Sequence, residues 1–396
     1  MSSSRRDIMK IAGAVGALGV AGAARAQQAS APAAFDFGNP SDFERDLKIV
    51  NCEWLEEDAK KILPPWRFAV MGPNGDGWTY RENRRAFGDY PILAHRLQNV
   101  DDKAIDLRAQ LLEHSLPFPM IVCPMGAQGT FHARAEAASA AGAEAAGTLF
   151  VMSGAATLPM EDVAKAHPGP KWFQIYMNAD MEINRWLVQR AKAAGFSAIV
   201  LTADALGPGQ SDEYIRLGRP QPPGAETPGN HDPARGGKGV FRNFKRNIGF
   251  DDIGFLREAS GLPVVAKGLL RADDAKQAVA SGAAAVWISN HGGRQMDGVP
   301  ASISMLGPAA DALGGSVPII LDSGVRRGID IFKALALGAN VVSVGRPVLW
   351  GMTAGGSAGV KGVFTQLAAE LKAAMLLSGV AKATDIHRDF VRYKPV

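Results

Sequence analysis

The stretch Ser289-Asn290-His291-Gly292-Gly293-Arg294-Gln295 sets a histidine and an arginine three positions apart, with two glycines between them. A neutral imidazole takes up a proton near neutral pH. A guanidinium grips an anion through forked donors. Together they suit an anionic substrate that must lose a proton. The glycines let the backbone approach a ligand closely. The same residues also read as a Gly-rich turn whose histidine caps a neighbouring element, and alone they do not choose between the two.

The chemistry needs an element behind it. Ala285–Asn290 opens on an apolar run that reads as a buried strand. Similar runs occupy Ile121–Met125, Thr148–Ser153, Trp172–Met177, Ala198–Asp204, Pro263–Gly268, Pro318–Gly324 and Val341–Pro347. They recur roughly every 20 to 30 residues, with one longer gap. Ala-rich segments of helical periodicity separate most of them, such as Met181–Ala194, Ala272–Ala280 and Gly328–Leu337. Gly195, Gly282 and Gly338 follow as C-caps. Eight such units predict an α/β fold of the TIM (β/α)8 class. Continuous apolar strands fit a sheet buried on both faces. A doubly wound open sheet is the alternative, but no G-x-G-x-x-G follows the first strand.

Other stretches bound the domain plan. Ser4-Arg5-Arg6-Asp7-Ile8-Met9-Lys10 is a twin-arginine pattern, followed by an Ala/Gly/Val-rich run and the small-x-small site Ala24-Arg25-Ala26. That run is too short and Gly/Ala-rich for a membrane span. Residues 1–26 are therefore expected to be an export signal, giving a periplasmic or exported protein that folds around its cofactor first; an uncleaved anchor is the alternative. Residues 27–118 read as a linker and helical cap, with helical spacing over Leu47–Leu63 ended by Pro64-Pro65, a turn at Gly72–Gly77 and a helix over Trp78–Phe87. Residues 119–396 form the barrel. The gap Leu206–Phe250 is long, polar and Gly/Pro-rich, and is expected to be a mobile lid.

Composition narrows the function classes. Hydrophobic residues make up 47%, ample for a core, and the net charge of +4 includes the basic residues of the signal. No Lys/Arg cluster resembles a nucleic-acid patch. Only Cys52 and Cys123 occur, the latter inside a strand-like run, so a buried free thiol is expected rather than a disulfide, and no metal site.

Polar residues gather at the predicted strand ends: Gln174 and Tyr176 after the third, Thr202 and Asp204 after the fourth, Lys267 after the fifth, Ser289 with His291 and Arg294 after the sixth. Asp322 to Arg327 follow the seventh, and Gly345 with Arg346 the eighth. Barrel enzymes keep their chemistry on this face and a phosphate near the last two strands. Gly324, Gly345, Arg326 and Arg346 suit that phosphate. Lys267 suits a developing negative charge. A phosphorylated cofactor beside such a lysine suggests FMN.

Here Ser289–Gln295, Asp-Ser-Gly-Val-Arg-Arg-Gly at 322–328, Lys-Ala-Leu-Ala-Leu-Gly-Ala at 333–339, Trp-Phe-Gln-Ile-Tyr at 172–176 and Leu-Thr-Ala-Asp at 201–204 resemble the FMN-dependent 2-hydroxy acid oxidases and dehydrogenases, the family of lactate and glycolate oxidases. The likeness runs from about Val50 to Gly379. It implies that Pro124, Met125 and Gly126 line the flavin. Ser153, Gln174, Thr202, Lys267 and Ser289 would hold its ring and ribityl chain. Asp322, Ser323, Gly324, Val325, Arg326, Gly345 and Arg346 would take the ribityl end and phosphate. His291 would be the base, braced by Asp204, with Arg294 on the substrate carboxylate, Tyr176 hydrogen-bonded to substrate, and Lys267 stabilising the reduced ring. The resemblance further implies a homotetramer and an electron acceptor that is a quinone, a cytochrome or O2.

Three positions depart from that pattern. Ala69 stands where the family carries a tyrosine, and Ser211 where it carries a second substrate-side arginine. Charged hydrogen bonds of this kind contribute about 1.5–3 kcal/mol each, so a bulkier or uncharged alcohol or lactone is the alternative substrate. Gly126 stands where oxidases carry alanine, which points to a dehydrogenase.

Overall fold

The computed structural model describes residues 37–207, 209, 211–221, 229–231 and 243–394. The predicted export signal and the start of the linker lie outside the described residues, as does much of the predicted lid. No helix among the described residues is long and apolar enough to cross a membrane.

The chain from Phe37 onward forms one unit. It opens with α1 (Cys52–Ile62), whose N-cap Asn51 accepts from Trp54 N. Pro64-Pro65 ends that helix and also starts the next, because α2 (Pro65–Ala69) places a proline at its first position, where no N–H is needed. The helix predicted over Trp78–Phe87 is α3 (Trp78–Arg85). The segment up to 118 is not wholly helical. β1 (Ala109–Leu111) and β2 (His114–Leu116) pair as an antiparallel hairpin. Its buried Leu111 and Leu116 pack against Ile121, Val151, Trp172 and Trp287 inside the barrel. Three-residue strands show no readable alternation, so tertiary burial decides them.

Eight parallel strands then close into a barrel, confirming the predicted class. They are β3 (Met120–Val122), β4 (Phe150–Ser153), β5 (Lys171–Ile175), β6 (Ile199–Thr202), β7 (Val264–Leu269), β8 (Ala285–Ile288), β9 (Ile319–Leu321) and β10 (Val341–Val344), with β10 returning to pair with β3. Nearly every strand residue is buried, as a sheet covered on both faces requires. Around them lie α4 (Ala135–Ala145), α5 (Met160–Ala166), α6 (Met181–Ala193), α7 (Asp212–Arg216), α8 (Asp251–Ser260), α9 (Ala272–Ala280), α10 (Ser302–Leu313), α11 (Gly328–Ala336) and α12 (Arg346–Ser378). Six of the strands stop short of the C-terminal ends of their apolar runs, β4 and β7 being the exceptions. The polar side chains sit on the last few strand residues, as Ser153, Gln174, Thr202 and Lys267 do, or in the loops just beyond.

Candidate active site

His291 lies just beyond β8 and Asp204 just beyond β6, and the barrel brings them into contact. His291 Nδ1 sits 3.0 Å from Asp204 Oδ1. Burial would raise the Asp204 carboxyl, but the positive charges of His291 and Lys267 outweigh it and hold the group below the usual carboxylate range. When the imidazole is neutral, an ionised Asp204 that accepts from Nδ1–H leaves the Nε2 lone pair free. The approach depends on Gly268, at φ +103, where a Cβ would stand 2.5 Å from Asp204 Cγ.

The turn carrying His291 is strained. His291, Gly292 and Gly293 are all left-handed, at φ +58, +66 and +72. Only the glycines adopt this freely. Ser289 Oγ accepts from His291 N at 3.0 Å, and Ser323 Oγ accepts from Gly292 N at 3.1 Å. Ser289 Oγ also accepts from Lys267 Nζ at 2.9 Å, so one hydroxyl joins the lysine to the base's backbone. Lys267 pairs with Asp322 Oδ2 at 3.4 Å. Burial would lower its pKa, but Asp322 and Asp204 raise it above the usual value, so it stays an ammonium. Asp322 Oδ1 accepts from Ser323 Oγ at 2.6 Å. Cys123 is free, and burial pushes its thiol up to about 12, so it is inert near neutral pH.

Arg294 is half-buried against two loops. Its Nη1 donates to Val70 O and Gly72 O, and its Nη2 to Gly209 O. Of five N–H donors this leaves Nε–H and one Nη2–H for a ligand. The same two loops hold the departures Ala69 and Ser211, which touch. Ser211 Oγ donates to Ala69 O at 2.7 Å and accepts from Tyr214 N at 3.0 Å, capping α7. Tyr176 follows β5, its ring edge-on to Phe244, and burial pushes its phenol up to about 12.

Ser153 Oγ donates to Gln174 Oε1 at 2.8 Å. Gln174 Nε2, Thr202 Oγ1 and Asp204 Oδ2 are buried without a hydrogen-bond partner among the described residues. Pro124, Met125 and Gly126 follow β3, and a Cβ on Gly126 would meet Ala155 Cβ and O at 3.0 Å. Gly345 and Arg346 stand at the start of α12. Arg326 Nη1 donates to Val325 O, and its guanidinium lies over Trp350. Arg346 donates to Met71 O and Gly292 O at 2.9 Å, while Nη2 is buried without a partner among the described residues. Burial pulls Arg346 down to about 10, as for a cation lacking an anion. The two arginines that the sequence assigned to a phosphate make these protein contacts as well. Gly324 has a second use as well, since a Cβ there would stand 2.0 Å from Asn83 O.

Buried polar groups need partners. FMN carries ring carbonyls, ribityl hydroxyls and a phosphate, and so has acceptors for Gln174 Nε2, Thr202 Oγ1 and Arg346 Nη2. These residues fit it. Sequence reading missed Gly268 and Asn83, whose amide pairs with Asn290 beside the base. No motif marks either one.

The family model for FMN-dependent dehydrogenases matches residues 59–393. L-lactate oxidase from Nostoc sp. is 41% identical over 358 residues, covering 86% of this chain and 98% of the relative. Glycolate oxidase 1 from Oryza sativa subsp. indica is 37% identical over 353 residues, covering 86% and 95%. The solved structure of mandelate oxidase with (S)-2-phenylpropionate superposes with a TM-score of 0.81 at 32% identity, covering 88% and 100%. With this extent of match the chain belongs to the FMN-dependent dehydrogenase family, the FMN-dependent 2-hydroxy acid oxidases, and is a flavin oxidoreductase acting on CH–OH.

Proposed function

We propose that the protein oxidises an L-2-hydroxy acid to the 2-keto acid with His291 as the base. The observation that carries this reading is the 3.0 Å contact between Asp204 and His291, beside the buried ammonium of Lys267. The substrate carboxylate takes the two free donors of Arg294, and Tyr176 hydrogen-bonds the substrate. His291 Nε2 removes the hydroxyl proton, and Asp204 stabilises the imidazolium. The C2 hydrogen leaves with its electron pair as the C=O bond forms. FMN, when bound, supplies the two-electron acceptor at N5. Pro124, Met125 and Gly126 line it. Ser153, Gln174, Thr202, Lys267 and Ser289 hold its ring and ribityl chain, with Lys267 balancing negative charge. Asp322, Ser323, Gly324, Val325, Arg326, Gly345 and Arg346 serve its phosphate end. The likeness to lactate, glycolate and mandelate oxidases supports the substrate class.

The electrons pass to a quinone or cytochrome rather than O2. Gly126 motivates this part, although the named relatives are oxidases. The twin-arginine pattern supports an exported protein, and family analogy a homotetramer; cell fractionation and light scattering test these two. For the main reading, the purified protein is mixed anaerobically with a panel of L-2-hydroxy acids. Bleaching of the flavin absorbance is expected. If none of them bleaches it, the substrate assignment is wrong.

A second reading is favoured by one observation. Ser211 and Ala69 satisfy each other through a hydrogen bond, and neither offers a charge or a phenol to a carboxylate. An uncharged alcohol or lactone is then the substrate. Reduction by such compounds and not by the free acids would establish it.

A further inference from the structure

We propose that Asn83, on α3 of the N-terminal segment, is a positioning residue for the base. The inference rests on the reading of His291 as that base. The Asn83 amide hydrogen-bonds neither His291 nor any group assigned to the cofactor, while the Asn83 backbone packs against Gly324. That amide is 2% exposed and faces that of Asn290, the residue before His291, which is 4% exposed. The two amides bond reciprocally, Asn83 Nδ2 to Asn290 Oδ1 at 2.9 Å and Asn290 Nδ2 to Asn83 Oδ1 at 2.8 Å. Asn83 Oδ1 also accepts from Ser302 N at 3.3 Å, and Ser302 Oγ accepts from Asn290 N at 3.1 Å. Asn290 Nδ2 reaches Pro300 O at 3.0 Å as well. The residue leading into the base turn is thus fixed at both its backbone and its side chain.

The fixing matters because the next residue is strained. His291 is a non-glycine residue in the left-handed region, a conformation that persists only where its surroundings enforce it. Asn74 N holds Gly293 O at 2.8 Å at the far end of the turn. Ser289 and Ser323 hold backbone N–H groups within it. The Asn83–Asn290 pair sets the rotation with which the chain enters the turn. Removing Asn83 leaves a buried amide with unmet hydrogen bonds, which then seeks other partners. The backbone can relax toward negative φ at His291, and the ring leaves Asp204. The expected fault is misalignment of an intact base rather than loss of a binding group.

The test uses FMN-loaded full-length protein and anaerobic rapid mixing, with the hydroxy acid that reduces the wild type fastest. The limiting reduction rate per bound FMN and the apparent substrate affinity are measured for Asn83→Ala, Asn83→Asp and His291→Ala. Asn83→Asp keeps the side-chain volume and both accepted bonds, but sets a carboxyl oxygen against Asn290 Oδ1 in place of the donated bond. A misplacement of this kind lowers the rate by roughly 30- to 100-fold. Asn83→Ala and Asn83→Asp are both expected to show that loss with affinity changed less than about threefold. A purely structural asparagine would lower the melting temperature while the rate per bound FMN stayed within about threefold, and that result overturns the proposal. If Asn83→Ala does not load FMN, Asn83→Asp decides by the same criterion. Failure of the underlying reading looks different: His291→Ala would then reduce its flavin at the wild-type rate.

Discussion

Replacing Asp204 with asparagine keeps the shape of the base pair and removes its charge. In the proposed step the imidazole becomes an imidazolium while Nδ1 stays 3.0 Å from Oδ1. Unit charges about 4 Å apart attract by about 4 kcal/mol at an effective dielectric near 20. The amide still offers a neutral hydrogen bond worth about 1 kcal/mol. The difference, about 3 kcal/mol, corresponds to a loss of about 10²-fold in rate. An amide that turns its NH2 toward Nδ1 also forces the proton onto Nε2, the wrong tautomer for a base, and the known cost of that fault in another triad is about 10⁴-fold. Asp204→Asn is therefore expected to lower the limiting rate of anaerobic flavin reduction by about 10²- to 10⁴-fold. FMN content is the control, because Asp204 has no role in holding the phosphate end. The pH dependence follows from the sign of the shift. The Asp204 carboxyl is depressed, so it is ionised above its lowered value and loses its charge only as the pH falls through it. Any acid limb measured near neutrality then does not belong to Asp204. A variant that loads FMN fully and loses less than about fivefold would refute the charge argument.

Three further outcomes are expected. Gly268→Ala drives a Cβ against the Asp204 carboxylate and strains a left-handed residue at φ +103, so it should match Asp204→Asn in rate and lose about 1–3 kcal/mol of stability in thermal unfolding; a wild-type rate contradicts the packing. Tyr176→Phe removes a phenol that burial pushes up to about 12, hence a neutral donor worth about 0.5–1.5 kcal/mol, or three- to tenfold in substrate affinity. The shape of its pH profile between about 6 and 10 should not change, and loss of an alkaline limb would show that Tyr176 titrates there. Gly126→Ala needs Ala155 to yield by a few tenths of an ångström; it should speed reoxidation by O2 in stopped flow, and an unchanged O2 rate removes the case for a dehydrogenase built on this glycine.

The barrel was legible because its strands are buried on both faces, which writes each as an apolar run regardless of register. Ala272–Ala280 was read to the residue, since an amphipathic surface helix shows its period. The gathering of His291, Asp204 and Lys267 was legible because each lies at or beside the end of one of those runs. The hairpin Ala109–Leu116 was not, because its strands are too short for a pattern and are fixed by the leucines they bury under the barrel. Side-chain direction was also beyond reach. Arg326 turns to Trp350 and Arg346 to Gly292 O through contacts that no spacing encodes. Gly268 carried no signal as a glycine of approach, for its neighbour Asp204 lies on another strand's end.

The unread parts share one physical origin. A left-handed histidine costs on the order of 1–3 kcal/mol, so the β8 strand does not by itself hold the base in place. Each neutral hydrogen bond that restrains the turn returns about 1 kcal/mol. The donors and acceptors come from Ser289 on the same loop, Ser323 after β9, and Asn74 and Asn83 of the N-terminal segment. Two of the four are more than 200 positions away in the chain, as for the Asn83–Asn290 pair with its separation of 207. The geometry of the turn therefore depends on the closed tertiary fold to a degree its motif hides: the heptad Ser289–Gln295 names the groups of the proposed step, while two of the side chains bonded to that turn come from the N-terminal segment.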